Sequence, residues 1–405
     1  MISYKDVFTY ENLERAYFHC RKGKRYRKAT VDYHRNYMIN LTKLQRRLLA
    51  NTYKPTSIYS FIIYEPKKRY ITANYFEDKI VQEVLTRHVL EPLVQSKLIY
   101  DNYATQKKKG SSLALNRLKK FLYQYHKEQN WNPEGWVLSC DIKKYFYTID
   151  QQIAINLVNK LDMDDKLKDM IAKQITAYGY KFNRYTDDPD RGICIGFQTS
   201  QWIAVYYLNG LDHFIKEKLH IRYYGRYMDD FYLIHEDKEY LQYCWKEIQK
   251  YVEERLNLEL NKKTHIGPVS QGVCFIGYRG ILNQRTHQVE LLVRRKSIRR
   301  ERKRLRKQIR KVNAGEFSVD ATIKSITSWY SYMKQGTDRF NKAIYDDLLK
   351  SLYDNTQGRA PEIDECLHYN TEICDVNRYT KRSLNRANLQ LLITSRCDIE
   401  YPEEI

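Results

Sequence analysis

Two short apolar, β-prone runs carry carboxylates, and this limits the fold of the 405-residue chain more than any other feature. Residues 136–142 read Trp-Val-Leu-Ser-Cys-Asp-Ile, so Asp141 closes a strand-like run. Residues 222–235 read as two strands around a tight turn at Met228-Asp229, with Asp230 following at once. An acid among such neighbours is costly to bury unless it is paired or bound to a metal. Adjacent strand residues point to opposite faces, but a tight turn can bring one or both acids to a common site. Carboxylates converging from two strands make a hard, oxygen-only cage suited to Mg²⁺. Two such ions, ~3.5–4 Å apart, can activate a hydroxyl and stabilise a leaving phosphate. Taken alone, Asp-Asp is more often an ordinary surface turn.

Around these runs the apolar spacing is helical. Residues 75–90 place Phe76, Ile80 and Val84, and Val81, Leu85 and Val89, at four-residue intervals. Residues 111–126, 199–216 and 238–256 repeat the pattern. Strands interleaved with helices predict an α/β or α+β core.

Charge points to the partner. Seventy Lys and Arg against 49 acids leave a net +21, which disfavours a compact state unless a polyanion offsets it. No stretch approaches the ~18–20 apolar residues of a membrane span. The first residues lack the apolar core of a secretory leader, so a cytoplasmic location is expected, and the eight scattered Cys are expected to be reduced thiols. Most of the 37 Tyr are read as amphipathic core residues, although Tyr also stacks on bases. Within residues 294–311, twelve of eighteen are Lys or Arg and only Glu301 is acidic, while Ile298, Leu305 and Ile309, with Val312 just beyond, form one apolar stripe. That pattern predicts a helix laid along a nucleic-acid backbone, with Arg299, Arg302, Lys303, Arg306 and Arg310 facing phosphates. Residues 351–405 reverse the sign, with six basic and ten acidic residues. Cys366, His368, Cys374 and Cys397 in this tail do not follow a familiar zinc spacing.

Further motifs stand in order along the chain. They are Glu65-Pro66-Lys67-Lys68-Arg69, Phe76-Glu-Asp78-Lys-Ile-Val81-Gln82, Asp101-Asn-Tyr103-Ala104 with Lys109-Gly110, and Asp141-Ile142-Lys143-Lys144-Tyr145-Phe146. Gly192-Ile-Cys-Ile195-Gly196-Phe-Gln198-Thr-Ser200-Gln201, Tyr227-Met228-Asp229-Asp230, Asn261-Lys262-Lys263-Thr264 and Gly272-Val-Cys-Phe275-Ile-Gly277-Tyr278 follow. The set resembles the bacterial and phage reverse transcriptases over roughly residues 30–335, with Tyr227–Asp230 as the YxDD box. The resemblance implies an α+β right-hand polymerase. Residues 1–135 would form an N-terminal segment and fingers, 136–280 the palm, 281–345 a basic helical thumb and 346–405 an acidic extension.

It also implies roles. Asp141 and Asp229 would hold two Mg²⁺ ions (Mn²⁺ substituting), with Asp230 more peripheral and the Ile142 carbonyl as a further ligand. Lys67, Lys68 and Arg69 would meet the dNTP triphosphate, and Phe146 would clash with a ribose 2′-hydroxyl. Ile195, Gly196 and Gln198 would border the incoming nucleotide. Ser200, Gln201, Tyr227, Met228, Gly277 and Tyr278 would line the nucleic-acid path, and Lys263 would protonate pyrophosphate. Ile195 and the Ser200-Gln201 pair resemble diversity-generating retroelement enzymes, in which an apolar residue here goes with low fidelity at template adenines. The acidic tail fits an antiphage-defence enzyme better. The implied partners are a structured noncoding or template RNA, an RNA–DNA hybrid and dNTPs. An accessory protein or a second copy is left open, and no membrane is implied. Template-independent or protein-primed DNA synthesis is an alternative, and an RNA-binding scaffold with an inactive palm is another.

Overall fold

A computed structural model describes residues 1–55, 58–64, 68–177, 188–336 and 345–352. The chain divides into two compact units, Met1–Arg294 and Arg295–Ile405. Lys67 and the tail cysteines lie outside the described residues.

In the first unit, the two carboxylate-bearing runs become neighbouring strands. The central sheet is antiparallel with order β4-β5-β3-β6, where β3 is Trp136–Asp141, β4 Tyr223–Tyr227, β5 Asp230–His235 and β6 His265–Pro268. Phe231, Tyr232, Leu233 and Ile234 of β5 are all buried, as expected for an interior strand covered on both faces. The helix Lys238–Leu256 packs on β3, β5 and β6, burying Leu241, Cys244, Ile248, Val252 and Leu256 at helical spacing. Asp237 caps it, accepting from the Glu239 and Tyr240 amides. The helix Ser111–Glu128 packs on β4 and on a three-stranded antiparallel sheet, β7 (Val273–Phe275), β8 (Tyr278–Asn283) and β9 (Gln288–Val293). Upstream, β1 (Tyr59–Ile63) and β2 (Arg69–Ala73) form a separate hairpin.

Several buried tyrosines carry their hydroxyls to backbone carbonyls. Tyr145 donates to Ala204 and Tyr207 to Leu256, both at 2.6 Å, so each ring is buried without an orphaned hydroxyl. The described cysteines are free thiols. Among the described residues, no helix is long and apolar enough to cross a membrane.

The pattern over residues 199–216 predicts one continuous helix, but the chain forms Gln198–Tyr207 and then Asn209–His213, followed by a wide turn, Phe214–Lys218. The break has a local purpose. Val205 near the end of the first piece and Asp212 in the second converge on Arg226, the largest fully buried side chain among the described residues. The Arg226 guanidinium donates to both Asp212 oxygens at 2.6 Å, to the Val205 carbonyl at 3.0 Å and to the Met228 carbonyl at 2.9 Å. Tyr224 donates to Asp212 Oδ1 at 2.6 Å and Asn102 to Oδ2 at 3.3 Å. A buried ion pair is tolerable when its remaining donors and acceptors are met in this way.

The hairpin β1–β2 makes a close approach to the loop that carries Ile195 and Gly196. Thr72 donates its amide to the Ile195 carbonyl at 2.8 Å. Gly196, next along, has φ +129°, and a Cβ there would lie 2.3 Å from the Thr72 carbonyl oxygen. No side chain fits, which explains glycine at this position.

Two outcomes follow from these contacts. Arg226→Met leaves Asp212 charged and buried without a counter-charge, and should cost about 3–5 kcal/mol. The urea midpoint should fall accordingly, and Arg226→Met/Asp212→Leu should recover much of the loss. Gly196→Ala should lower the thermal midpoint, whereas Gly23→Ala, also at positive φ but in open space, should lower it less.

Candidate active site

The two carboxylate-bearing runs meet in register. Asp141, the last residue of β3, pairs with Asp230, the first of β5, and β5 pairs with β4 through Tyr227 and Asp230. Only Met228 and Asp229 connect β4 to β5. The first residue of such a two-residue turn needs positive φ, usually supplied by glycine. Met228 adopts φ +56°, and the Arg226 bond to its carbonyl holds it there. Asp229 therefore projects at the tip of the hairpin, beside Asp141, and the Ile142 amide donates to the Asp229 carbonyl at 3.3 Å.

Each acid has a different setting. Burial first, then the Asp141 charge, pushes Asp229 up to about 6, while the Arg69 guanidinium pulls the other way. Burial pushes Asp230 up to about 7, against the Ile276 amide, which donates to its Oδ2 at 3.0 Å, and against the Arg294 charge. Asp141 Oδ2 accepts from the Asn261 side chain at 2.8 Å, and the Asn261 amide donates to the Asp141 carbonyl at 2.7 Å. The backbone beyond Asp141 is pinned from the same side, since the Lys143 amide donates to the Glu259 carbonyl at 2.9 Å. The Ile142 carbonyl takes no part in these bonds.

Among the described residues, no three His, Cys, Asp or Glu side chains form a ready metal cage. The donor set nevertheless fits a hard cation. Asp141 and Asp229 crowd two like charges at the strand ends, partly withdrawn from water, and a divalent ion would remove the repulsion that raises Asp229.

The remaining expected residues fall as follows. Arg69 lies on β2, near enough to influence Asp229, and Lys68 just precedes it with its ammonium 5.5 Å from the Tyr70 ring. Phe146 is half-buried against Tyr145, centroids 5.8 Å apart, and its carbonyl accepts from the Ile193 amide at 2.9 Å. The loop carrying Ile195 and Gly196 is therefore tied both to Phe146 and to β2. Gln198 opens the helix Gln198–Tyr207, its amide donating to the Gln82 side chain at 3.4 Å. In the same first turn Ser200 is buried and Gln201 exposed. Tyr227 and Met228 are half-buried at the hairpin tip, and Lys263 is exposed in the turn after Asn261. Gly277 has φ +93° beside the Ile276 that holds Asp230, and Tyr278 is buried.

In the second unit, the helix Arg295–Asn313 buries Leu305, Ile309 and Val312 and packs on the helix Val319–Met333. Arg299, Arg302, Lys303, Arg306 and Arg310, with Lys307, line one groove on it. Asp347 reaches this face, 3.2 Å from Arg302 and 3.7 Å from Arg306.

Sequence reasoning missed Arg226, Asp212, Asn261, Ile276 and Arg294. Arg226 carried a signal, as a charge inside an otherwise apolar strand one residue before Tyr227. Asp212 pairs with Arg226 across a long separation, and the others act on the acids through amides or from distant parts of the chain, where spacing gives no hint.

Comparison with known proteins adds the family. The sequence matches the family model described as "Reverse transcriptase (RNA-dependent DNA polymerase)" over residues 57–279, more than half of the chain. No curated protein matches it. Similar solved structures include a C-terminally truncated apo telomerase from Candida tropicalis (15% identity, 59% of this chain and 56% of that one, TM-score 0.43). Another is the telomerase from Candida albicans with a fragment of telomeric RNA (11% identity, 80% of this chain and 67% of that one, TM-score 0.45). A further apo telomerase from C. tropicalis has 12% identity, 77% of this chain covered and 59% of that one, and a TM-score of 0.44. The chain thus spans less than two thirds of either C. tropicalis protein. Both carboxylate-bearing runs and the loop that ties them to the β1–β2 hairpin lie inside the matched region, and the chain belongs to the reverse transcriptase (RNA-dependent DNA polymerase) family.

Proposed function

We propose that the chain is an RNA-directed DNA polymerase that copies a structured noncoding RNA into cDNA. The observation that carries this reading is the pairing of Asp141 with Asp230 across β3 and β5, with Asp229 at the adjoining turn. Asp141 and Asp229, with the Ile142 carbonyl and the more peripheral Asp230, would hold two Mg²⁺ ions. Bound there, the ions supply an activated 3′-hydroxyl and charge stabilisation at the transferring phosphate.

The chain's own groups do the rest. Arg69 and Lys68, with Lys67, receive the triphosphate, Arg69 by bidentate hydrogen bonds. The primer 3′-oxygen forms a bond to the α-phosphorus as the bond to the pyrophosphate oxygen breaks. The hydroxyl proton leaves to solvent, and Lys263 gives a proton to pyrophosphate. Phe146 presents an aromatic edge where a ribose 2′-hydroxyl would sit, selecting dNTPs. The basic groove on Arg295–Asn313 suits the backbone of an RNA–DNA hybrid, which is read by shape.

The biological setting is antiphage defence or a diversity-generating retroelement. Ile195 supports the second, because an apolar side chain offers the incoming nucleotide no polar contact. The test is to purify the protein with its flanking DNA, sequence the RNA that accompanies it, and sequence the cDNA made with Mg²⁺ and dNTPs. Errors concentrated at template adenines support the retroelement setting, and faithful copying of a noncoding RNA supports defence. Protein-linked DNA would favour the protein-primed alternative. RNA binding without synthesis would favour the scaffold.

Asp229→Asn should lower incorporation on the order of 10³-fold with little change in RNA binding. Phe146→Ala should reduce discrimination against rNTPs by roughly 10–100-fold in single-nucleotide extension assays. Metal should also register in stability. Folding raises both acids above their unfolded values, so they cost stability in full when ionised, above about pH 7, and this cost declines as pH falls from about 7 and 6 towards the ordinary value of 3.8. At pH 8, Mg²⁺ should raise the thermal midpoint of the wild type. Asp229→Asn/Asp230→Asn should melt higher without metal and show no Mg²⁺ shift.

A further inference from the structure

Charge is distributed unevenly along the chain. Residues 15–55 hold twelve basic residues and one acid, Asp32, and residues 294–311 hold twelve and one. Negative charge collects further on. Residues 360–377 contain Glu362, Asp364, Glu365, Glu372 and Asp375 and no Lys or Arg, whereas residues 378–396 contain five Lys or Arg and no acid. The tail is therefore not evenly acidic: half of its ten acids fall in one stretch of eighteen residues. The reverse transcriptase reading above gives that stretch no role.

The basic helix belongs to the same compact unit as this stretch. Six cations line the groove on the helix Arg295–Asn313, from Arg299 to Arg310. Steps of three and four residues keep them on one side, over about 16 Å of helix. Arg299, Lys303, Lys307 and Arg310 are exposed and make no ion pair among the described residues. Like charges this close repel one another, and an anion laid along them relieves the repulsion.

One acid of the chain is already seated there. Residues 345–352 are helical, with Tyr345, Leu348, Leu349 and Leu352 buried. The Tyr345 ring packs on Tyr330 of the helix Val319–Met333, centroids 4.3 Å apart. Asp347 stands on the exposed side of this anchored helix. Arg302 donates from Nη2 to Asp347 Oδ2 at 3.2 Å, and Arg306 Nη2 is 3.7 Å from the same oxygen. A carboxylate shared by two arginines takes the position that a phosphate oxygen would take. Leu352 follows Asp347 by five helical residues, about 8 Å. Ten further residues lead to Glu362 and can span about 33 Å, about twice the length of the groove.

The two sets of charges match in number as well as in sign. The five acids of residues 360–377, with Asp347 as a sixth carboxylate, face six cations. We propose that residues 360–377 lie in the groove of the helix Arg295–Asn313 as an internal polyanion, which nucleic acid must displace to bind there. The tether makes the contact intramolecular and holds the carboxylates at an effective concentration in the millimolar range. A duplex carries a charge every ~1.7 Å and releases its counterions on binding, so it outcompetes the sparser carboxylates, whereas a short or weakly charged polyanion does not. The inference rests on the reading of this groove as a seat for an RNA–DNA hybrid for the competition, but not for the internal contact.

The test starts from the full wild-type chain without nucleic acid. A carbodiimide joins a carboxylate to a lysine amine only where the two touch, and mass spectrometry reads the linked peptides. Links from the acids of residues 360–377 to Lys303 or Lys307 are expected, fading as an RNA–DNA hybrid of about 20 base pairs is added. Mixing isotope-labelled and unlabelled chains separates links within a chain from links between copies. In titrations of the same hybrid at low salt, Glu362→Gln/Asp364→Asn/Glu365→Gln/Glu372→Gln/Asp375→Asn should tighten binding by roughly 10-fold and steepen its salt dependence. On a background of Lys303→Gln/Lys307→Gln/Arg310→Gln the same five substitutions should change binding by no more than about twofold. Those three cations are exposed, so an unchanged thermal midpoint should show that the groove variant folds. Absence of the links to Lys303 and Lys307, or links only between copies, overturns the internal contact. Equal tightening on both backgrounds is an effect of net charge alone and overturns the competition. If the groove substitutions by themselves leave hybrid binding unchanged, the groove is not the nucleic-acid seat, while the links still decide whether the acidic stretch occupies it.

Discussion

The candidate site depends on the Arg226–Asp212 pair. The hairpin that presents Asp229 turns through a left-handed Met228, a conformation that a non-glycine residue holds only when the surroundings impose it. Arg226 imposes it by bonding the Met228 carbonyl while anchored to Asp212 and Val205. One guanidinium thus links the turn to the two helical pieces that replace a single helix. The charge is affordable inside the core because every oxygen and nitrogen it faces is already oriented.

The three acids then divide by environment. Asp230 faces the Ile276 amide, so the β7–β8 connection fixes it from the side. Asp141 is held by Asn261, which arrives from the segment leading into β6. Asp229 alone projects at the tip, with Arg69 of the separate β1–β2 hairpin as its nearby counter-charge. Three parts of the chain, far apart in sequence, therefore set the surroundings of three neighbouring acids. This also explains why the acids are poised rather than satisfied. A site already neutralised by protein cations would gain little from binding metal.

Much of this could be read in the sequence. The strands at 136–141 and 223–235 and their turn were legible because alternating or continuous apolar runs punctuated by acids have few other uses. The helices at 76–85, 111–128 and 238–256 were legible from their four-residue spacing. The break at Leu208 was not, since the residues around it are apolar enough to continue the helix, and its cause is a side chain, Arg226, that approaches from another element. Asn261 and Ile276 were invisible as acid partners for a similar reason: one uses a side-chain amide available to any Asn, and the other a backbone N–H that every non-proline residue carries. Pattern shows which face is buried. It does not show which hydrogen bond a buried carboxylate will find.

The charge distribution has a consequence for how such a chain works. A polymerase that held its nucleic acid by one strongly basic element would bind any duplex and release it with the salt. Separating the positive charge into a helix with an apolar back, Leu305-Ile309-Val312, and a looped N-terminal surface with exposed rings gives the two surfaces different chemistry. The helix offers regularly spaced cations and no exposed aromatic along its basic groove, which suits a continuous backbone. The N-terminal stretch instead carries its cations around the exposed ring of Tyr26. Cations along a regular helical ridge add charge alone, whereas cations beside an exposed ring add a surface for stacking, so the two basic stretches differ in the contacts they can offer.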